Sequence, residues 1–439
     1  MAAIAQNATA QGVIDVHSHI ISPTYTNYLN KNGAALDEGF PLPHWDVESQ
    51  LKWMDEAGVE TSVLTLAAPH PQYGGDKAAS AVIRKLNEEA AAIKKRYPGR
   101  FLFCATLPLP NVQAAINEAK YALDTLHADG IKLATNVNGQ YLGVPELDPL
   151  FEMLTERGAV IILHPHKPDP VNATVMKQTP LAMQEYLSET TRTLGNMITR
   201  NVPARFNKLK IVVPHCGAYL PLSIPRMKAL EPVMRQFNMV GAIQWEENLK
   251  NLYFDLAGAH SPSAIRALLS ITLHSHLLYG SDFPYVAPSV LTASLRRMEG
   301  YLQTEADLAP YHNMILRDNA RQLFGLVQAN PDKEKAPVGE TCVTRIADIE
   351  IYPQYINEFI EAAKTIAATS LKEEPGVLCL SPYQLKESGT LFRVMEIYAS
   401  KDAYQHHIQT EHFKHYKQIT EKMVKTLKLN DLISLGTLP

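Results

Sequence analysis

The chain has 439 residues, of which 46% are hydrophobic and 20% charged, so it has the apolar content for two or three globular domains. Its 41 basic and 45 acidic side chains give a net charge of −4, which excludes the basic surplus typical of nucleic-acid-binding proteins. No apolar run reaches the roughly 18 residues that span a bilayer. Neither a signal peptide nor a CxxC pair can be recognised, so we expect a cytoplasmic protein with reduced thiols.

Eight short apolar, β-branched runs recur along the first part of the chain, and helix-like segments separate them. The runs are Val13–Val16, Thr61–Leu66, Phe101–Thr106, Gly130–Ala134, Val160–Leu163, Ile211–Val213, Leu252–Leu256 and Leu277–Gly280. Such runs are typical of parallel strands buried on both faces, each followed by a crossover helix. Eight strand–helix units in about 320 residues predict an α/β fold, namely a closed (β/α)8 TIM barrel. A doubly wound open sheet is the alternative, which the lack of a glycine-rich turn after the first run disfavours.

Two segments exceed the length that a minimal barrel needs. Residues 31–44 contain Gly and Pro and are expected to form a loop, and residues 167–208 contain a predicted helix at Leu181–Arg200. Extra segments at the strand ends of a barrel commonly cover a site. Each is therefore expected to be either a lid or a subunit contact.

The pattern changes after residue 328. Residues 329–340 are polar, charged and Pro-bearing, which predicts a linker between a barrel at 12–328 and a second domain at 341–439. The predicted elements of this domain are a strand (Val343–Tyr352), a helix (Gln354–Ser370), two strands (Gly376–Lys386 and Thr390–Ala399), a long helix (Lys401–Leu427) and a strand (Leu432–Leu435). This β-α-β-β-α-β order predicts a ferredoxin-like α+β domain.

Side chains that bind metals follow four of the eight apolar runs. His17 and His19 lie two residues apart at the end of the first run, so their imidazoles point to the same side of a strand. His164 follows the fifth run, His215 the sixth and Asp282 the eighth. Because the carboxyl ends of barrel strands meet at one mouth, where catalysis occurs, we expect these side chains to converge.

Three imidazoles and one carboxylate suit a borderline divalent ion, zinc first and manganese or iron next. We expect His17, His19, His164 and Asp282 to be the ligands, with room for a water or a substrate atom. An ion there can activate water or polarise a substrate oxygen. His215 is the candidate additional acid or base, since imidazoles titrate near neutral pH.

The sequence resembles the amidohydrolase superfamily, specifically the amidohydrolase-related branch that includes aminocarboxymuconate-semialdehyde, γ-resorcylate and methylsalicylate decarboxylases. The matching pieces occur in the same order over about residues 12–328: Ile14–His19, Gly130–Leu133, Leu163–Pro165, Pro214–Gly217, Gly280–Pro284 and Asn319–Arg321. The resemblance implies a mononuclear metal on the same four ligands, with His215 catalytic and Asp282 both a ligand and a proton carrier. In dinuclear members a carbamylated lysine bridges two metals, and a dinuclear site with Lys132 is the alternative.

Two chemistries fit this ligand set. The first is non-oxidative decarboxylation of a small aromatic or conjugated carboxylic acid, with Asp282 or His215 protonating the carbon that loses CO2. The second is hydrolysis of a lactone or amide, in which Asp282 takes a proton from the attacking water and His215 stabilises the oxyanion. No arginine stands out as the clamp for a substrate carboxylate, although Arg192 and Arg226 are candidates.

The remaining histidines have weaker assignments. His166 lies in a Pro-flanked loop and is expected either at the substrate or at the surface. His274 and His276 precede the eighth strand, at the opposite end of the barrel, which predicts a structural role. His412 and His415 share one face of the predicted long helix. A solvated or interface position is predicted for both, because the sequence identifies no carboxylate partner.

Residues 341–439 are similar to the antibiotic-biosynthesis-monooxygenase family, through Glu374–Gly376, Phe392–Tyr398 and Ala403–Phe413. That fold usually pairs two copies through their sheets, so the resemblance implies a homodimer or higher homo-oligomer. Some relatives oxidise quinols without a cofactor, and such an activity is the second alternative function. We expect a dimerisation module without chemistry.

Overall fold

The structure is a computed structural model that describes residues 12–172, 174, 179–258, 260–326, 343–374 and 376–432. These residues fall into two compact units, one before and one after the gap at 327–342. The predicted linker at 329–340 lies outside the described residues. No helix within the described ranges is long and apolar enough to cross a membrane.

The first unit is built around eight strands, each paired in parallel with the next along the chain. They are β1 (Val13–His19), β2 (Val59–Thr65), β3 (Phe101–Thr106), β4 (Gly130–Ala134), β5 (Val160–His164), β6 (Lys210–Val213), β7 (Leu252–Asp255) and β8 (Leu277–Leu278). Backbone bonds join the two ends of the sheet: Val16 N donates to Tyr279 O at 3.0 Å, and Asp282 N donates to His17 O at 2.8 Å. The TIM-barrel prediction is confirmed, and all eight apolar runs form strands.

Helices alternate with the strands of this unit. They are α1 (Pro23–Lys31), α2 (Val47–Ala57), α3 (Asp76–Arg96), α4 (Val112–Asp124), α5 (Asp148–Glu156), α6 (Glu185–Thr199), α7 (Val202–Arg205), α8 (Leu220–Gln236), α9 (Trp245–Leu249), α10 (Pro262–Leu268), α11 (Pro288–Thr304) and α12 (Asn319–Leu323). Helix α2 illustrates how local sequence sets the residues at which a helix begins and ends. The Asp46 carboxylate accepts a hydrogen bond from Ser49 N at 2.7 Å, and Gly58 ends the helix at φ 81°. The buried face of α2 carries Trp53, which stacks on Phe283 at 4.9 Å and so supports the segment next to Asp282.

The second unit is a four-stranded antiparallel sheet with helices. Its strands are β9 (Val343–Ile351), β10 (Val377–Gln384), β11 (Leu391–Tyr398) and β12 (Val424–Leu432), and its helices are α13 (Ile356–Glu373), α14 (Lys401–His407) and α15 (Glu411–Thr420). The strand order β10-β11-β9-β12 is that of a ferredoxin-like fold, as predicted. The Phe359 and Phe392 rings meet at 5.0 Å in its core.

The single long helix predicted at 401–427 is wrong. Thr410 interrupts it, because its hydroxyl oxygen accepts from Phe413 N at 3.3 Å and starts a new helix. Beyond Met423 the chain becomes a strand that pairs with β9, so tertiary pairing decides the structure there. Only Leu432 of the strand predicted at 432–435 is described, and it ends β12.

Candidate metal centre

The carboxyl ends of β1 and β5 and the segment after β8 bring the four predicted ligands together. The candidate ligand atoms of His17, His19, His164 and Asp282 all lie within 4.8 Å of one another. Asp282 Oδ1 is 3.1 Å from His19 Nε2 and 3.6 Å from His17 Nε2. The three imidazoles are buried, whereas the Asp282 side chain is 23% exposed. The cluster therefore has one accessible side.

The donor set fits a divalent ion. Burial lowers the pKa of His19 to about 4 and holds that of His164 well below its usual range, so both rings are neutral, the form that binds metals. Burial would raise the pKa of Asp282, but its contacts with the imidazoles of His19 and His215 hold it well below its usual value. His17 Nε2 is buried and has no hydrogen-bond partner among the described residues. A cation would satisfy that nitrogen.

The second nitrogen of each predicted ligand imidazole is held by a specific acceptor. His19 Nδ1 donates to Thr65 Oγ1 at 3.0 Å, and His164 Nδ1 donates to the carbonyl oxygen of Pro165 at 2.8 Å. His17 Nδ1 donates to Asp255 Oδ2 at 2.8 Å. Such bonds fix the tautomer and leave Nε2 of each ring available to an ion.

Asp255 is a site residue that the sequence analysis missed. Besides orienting His17, it accepts from the backbone nitrogens of His215 at 3.0 Å and Ala257 at 3.1 Å. Burial opposes protonation of His17, but the Asp255 carboxylate raises the pKa of His17 to about 9, so an ion that binds Nε2 would displace a proton from this ring. Asp255 lies within the seventh apolar run, Leu252–Leu256, and is the last residue of β7, so its side chain reaches the same mouth as the predicted ligands.

Replacing Asp255 by Asn is expected to weaken metal binding by roughly 10- to 100-fold, because the His17 ring loses its charged acceptor. A competition titration of the metal-free protein against a chromophoric chelator measures this. Asp402→Asn, at an exposed helix position, is the control and should bind the ion as the wild type does. An unchanged affinity in Asp255→Asn would show that this carboxylate does not orient a ligand.

Asp15 ties three segments of the site together. Its carboxylate accepts from His17 N at 3.1 Å, Ser281 Oγ at 2.7 Å and Ser62 Oγ at 3.0 Å. Burial raises the pKa of Asp15 to about 6, although these hydrogen bonds favour its ionised form. Asp15 thus links β1, β2 and the segment that carries Asp282.

The segments that carry His215 and Asp282 have an unusual backbone. His215, Cys216, Ala218 and Asp282 have φ of 54°, 55°, 53° and 68°, a region that L-residues seldom adopt. Each such residue costs about 1 to 3 kcal/mol, and such strain is concentrated at functional sites. His215 Nε2 lies 3.9 Å from Asp282 Oδ2. The two predicted catalytic groups are therefore neighbours.

A cavity of about 280 Å³ opens above these side chains. His164, His215 and Asp282 line it together with Phe40, Ala67, Ala68, Ala182, Met183, Tyr186, Leu187, Gly258 and Tyr285. Phe40 belongs to the segment at 31–44, and residues 182–187 belong to the segment at 167–208, so both segments form walls of the cavity. Neither Lys nor Arg is among the described residues that line it.

The residues with weaker assignments lie elsewhere. Arg192 pairs with Glu189, and Arg226 is exposed, so neither candidate clamp lines the cavity. His274 stacks on a tyrosine ring at 3.6 Å, and His276 packs against another at 4.5 Å, as a structural role requires.

Lys132 is buried, and its Nζ donates to Ala67 O at 3.3 Å. Burial lowers its pKa to about 7. The dinuclear site remains an alternative prediction.

His166 is neither at the surface nor in the cavity lining. It is buried and lies beside Glu38, whose Oε1 is 3.0 Å from His166 Nδ1. Glu38 Oε2 accepts from Lys167 N and from Tyr186 Oη, each at 3.0 Å. Glu38 therefore joins the two wall-forming segments, a contact between distant residues that no local pattern indicates.

Burial raises the pKa of Glu38 from 4.5 to about 7. Between these values the folded state binds more protons than the unfolded state, so the free energy of unfolding falls as pH rises. Glu38→Gln removes this dependence. From about pH 5 to about pH 8, the wild type should lose roughly 1 to 3 kcal/mol relative to the variant in urea denaturation. Glu152→Gln, at an exposed position, should parallel the wild type, and parallel pH profiles for Glu38→Gln would contradict the prediction.

Comparisons with known proteins agree with this architecture. The amidohydrolase family model matches residues 14–326, and the antibiotic biosynthesis monooxygenase model matches residues 342–419. Decarboxylase yanB of Aspergillus niger is 34% identical over 332 residues, which are 73% of this chain and 89% of that protein. The 6-methylsalicylic acid decarboxylase of Penicillium expansum is 31% identical over 293 residues, 66% of this chain and 90% of that protein.

Among solved structures, 5-carboxyvanillate decarboxylase from Novosphingobium aromaticivorans, determined with bound manganese, aligns with a TM-score of 0.63 at 19% identity. The alignment covers 72% of this chain and 97% of that chain, and at this identity it supports the fold alone. The predicted resemblances are confirmed by the family models. The chain belongs to the amidohydrolase family and carries an antibiotic biosynthesis monooxygenase domain after its barrel.

Proposed function

We propose that this protein is a metal-dependent, non-oxidative decarboxylase of a small aromatic monocarboxylic acid. The observation that carries the proposal is the convergence of three imidazoles and a carboxylate at the base of one mainly apolar cavity. Relatives at 34% and 31% identity that are named decarboxylases support the reaction class.

The proposed ligands of one divalent ion are His17, His19, His164 and Asp282, with zinc preferred and manganese or iron as alternatives. When bound, such an ion acts as a Lewis acid that orients and polarises the substrate's carboxylate or an adjacent oxygen. The neutral rings of His19 and His164 and the ionised Asp282 support this assignment.

The chain's own groups would supply the proton. Decarboxylation breaks the bond between the ring carbon and the carboxylate, the electron pair stays on the ring carbon, and that carbon takes one proton as CO2 leaves. Asp282 and His215 both face the cavity, and their side chains approach to 3.9 Å. His215 can deliver a proton to the ring carbon directly, whereas the ionised Asp282 would first take a proton from His215 or from water and then pass it on.

The cavity suggests which acids fit. About 280 Å³ is at the lower end of ligand-site volumes, which suits a single ring. No cationic side chain among the described lining residues would balance a second carboxylate, and an unpaired charge in an apolar site is costly. We therefore propose an aromatic ring that bears a single carboxylate and no other charged group, such as 6-methylsalicylate.

The test incubates metal-loaded protein with 6-methylsalicylate and, separately, with a benzene dicarboxylate of similar size. We expect equimolar CO2 and 3-methylphenol from 6-methylsalicylate, at a kcat/KM at least about tenfold above that for the dicarboxylate. Chromatography and CO2 detection measure both. Ring-opened product from a lactone, with no CO2 from any acid, would instead support the hydrolase alternative.

For the remaining organisation, we propose a barrel at 12–328, a linker at 329–340 and a C-terminal domain at 341–439 that pairs chains into a homodimer. The ranges of the two family models support these boundaries. Light scattering after size exclusion tests the dimer. The alternative function, quinol oxidation, would use a cavity of about 330 Å³ within the C-terminal unit. Measuring oxygen consumption by the protein with a quinol tests this alternative.

A further inference from the structure

A second group of imidazoles and a carboxylate converges within the C-terminal unit. Glu374 follows α13, His407 ends α14 and His412 lies in the first turn of α15. Glu374 Oε1 accepts hydrogen bonds from His407 Nδ1 at 2.9 Å and from His412 Nε2 at 2.6 Å. The candidate ligand atoms of the three side chains lie within 4.8 Å of one another. The carboxylate partner of His412, which the sequence did not identify, is thus Glu374.

The burial of these groups leaves one polar atom unsatisfied. The His407 and Glu374 side chains are 1% and 4% exposed. Glu374 Oε2 is buried and accepts no hydrogen bond of ordinary geometry from the residues that the structure describes, although the nearby Ser370 hydroxyl also lowers the pKa of Glu374. An unpartnered carboxylate oxygen in a protein interior is costly unless something else binds it.

Neighbouring contacts already hold these three side chains close together, as binding of an ion would require. The His407 ring lies between Tyr398 and Phe413, with ring centroids 5.3 Å and 4.7 Å away. Burial would raise the pKa of Glu374, but hydrogen bonds from His412 and His407 hold it below its usual value, so the carboxylate is ionised. The His412 side chain is 22% exposed, which leaves a path from solvent.

We propose that Glu374, His407 and His412 form a second site for a divalent metal ion, with zinc preferred. Two imidazoles and one glutamate are an established zinc ligand set that leaves a fourth position for water. Ligand atoms around tetrahedral zinc lie about 3.3 to 3.5 Å apart, given bonds of about 2.0 to 2.2 Å. The present separations of 2.6 and 2.9 Å would need to widen by about 0.4 to 0.9 Å.

An ion at this site would replace the two protons that now lie between the imidazoles and Glu374 Oε1. It would also join the end of α13 to α14 and α15 across the break at Thr410. The role is therefore structural, and it does not depend on the reaction proposed for the barrel.

The test measures zinc bound to the full-length protein after chelator treatment, reloading and desalting, by elemental analysis. We expect His412→Ala and Glu374→Gln each to bind one equivalent less per chain than the wild type. His406→Ala and His415→Ala are matched controls, since both are exposed histidines on the same two helices, and should bind as much as the wild type. The double variant His17→Ala/His19→Ala should still bind the one equivalent of zinc that is assigned to the C-terminal unit.

Circular dichroism is used to check that each variant is folded. Glu374→Gln changes a single functional group and keeps the size of the side chain. Equal zinc content in the wild type, His412→Ala and Glu374→Gln would overturn the proposal and leave a hydrogen-bonded triad. The same loss in His415→Ala would also overturn it, because the ion would then lie at the helix surface. Since the comparison is a difference between variants, it stands whether or not the barrel decarboxylates an acid.

Discussion

Asp282→Asn is expected to lower the rate of CO2 release by roughly 10³-fold or more. Asp282 is the only anionic member of the proposed ligand set, and its Oδ1 lies 3.1 Å from His19 Nε2. The amide keeps the size of the side chain but removes both the charge that holds a cation and the capacity to carry a proton. The measurement is kcat, with the metal content of each preparation determined in parallel.

The control for this variant is Asp55→Asn, which removes a carboxylate of the same length from an exposed position that pairs with Arg100. It should release CO2 at the wild-type rate. If Asp282→Asn kept its metal and worked within about tenfold of the wild type, Asp282 could be neither an essential ligand nor the proton carrier.

Removing divalent ions with a chelator is expected to abolish decarboxylation, and adding back zinc, manganese or iron should restore it to different extents. Neither Lys nor Arg is among the described residues that line the proposed cavity, so the mechanism relies on an ion to balance the substrate's carboxylate. Activity is followed while each metal is titrated into the stripped protein. The metal that gives full activity at the lowest concentration identifies the preferred ion.

Two outcomes make this experiment decisive. His164→Ala should remain inactive at every metal concentration, which separates loss of the site from general inhibition by the chelator. Full activity in protein that elemental analysis shows to be free of metal would contradict the proposed mechanism.

The strands and the convergence of the predicted ligands could be predicted because both depend on local rules. An apolar run specifies a buried strand, and a polar residue directly after it specifies the barrel mouth. Asp255 lies inside an apolar run instead of after it, so this rule did not single it out, although it ends β7 at the same mouth. The burial of His166 could not be predicted, because it depends on Glu38, a partner far away in the sequence.

In the C-terminal unit, too, contacts between distant residues could not be predicted from the sequence. The helical spacing of apolar residues continues through Thr410 in the sequence. In the structure, however, the Thr410 hydroxyl caps the start of a new helix, α15, so the helix predicted there is interrupted. Glu374 lies 33 residues before His407, and their contact exists only once α13 and α14 pack against the sheet. Contacts of this kind are set by tertiary structure, and patterns read from a single sequence do not contain them.

The candidate metal centre lies across the seam at which the barrel closes. Asp282 N donates to His17 O, and Asp15 binds Ser281, so the same contacts that join the last strand to the first also bring Asp282 to the histidines. During synthesis, the cluster cannot exist until about residue 282 has left the ribosome, long after the two β1 histidines have emerged. If the proposed ion binds there, its acquisition is a late event in maturation, and metal uptake by a nascent or refolding chain would report on completion of the barrel.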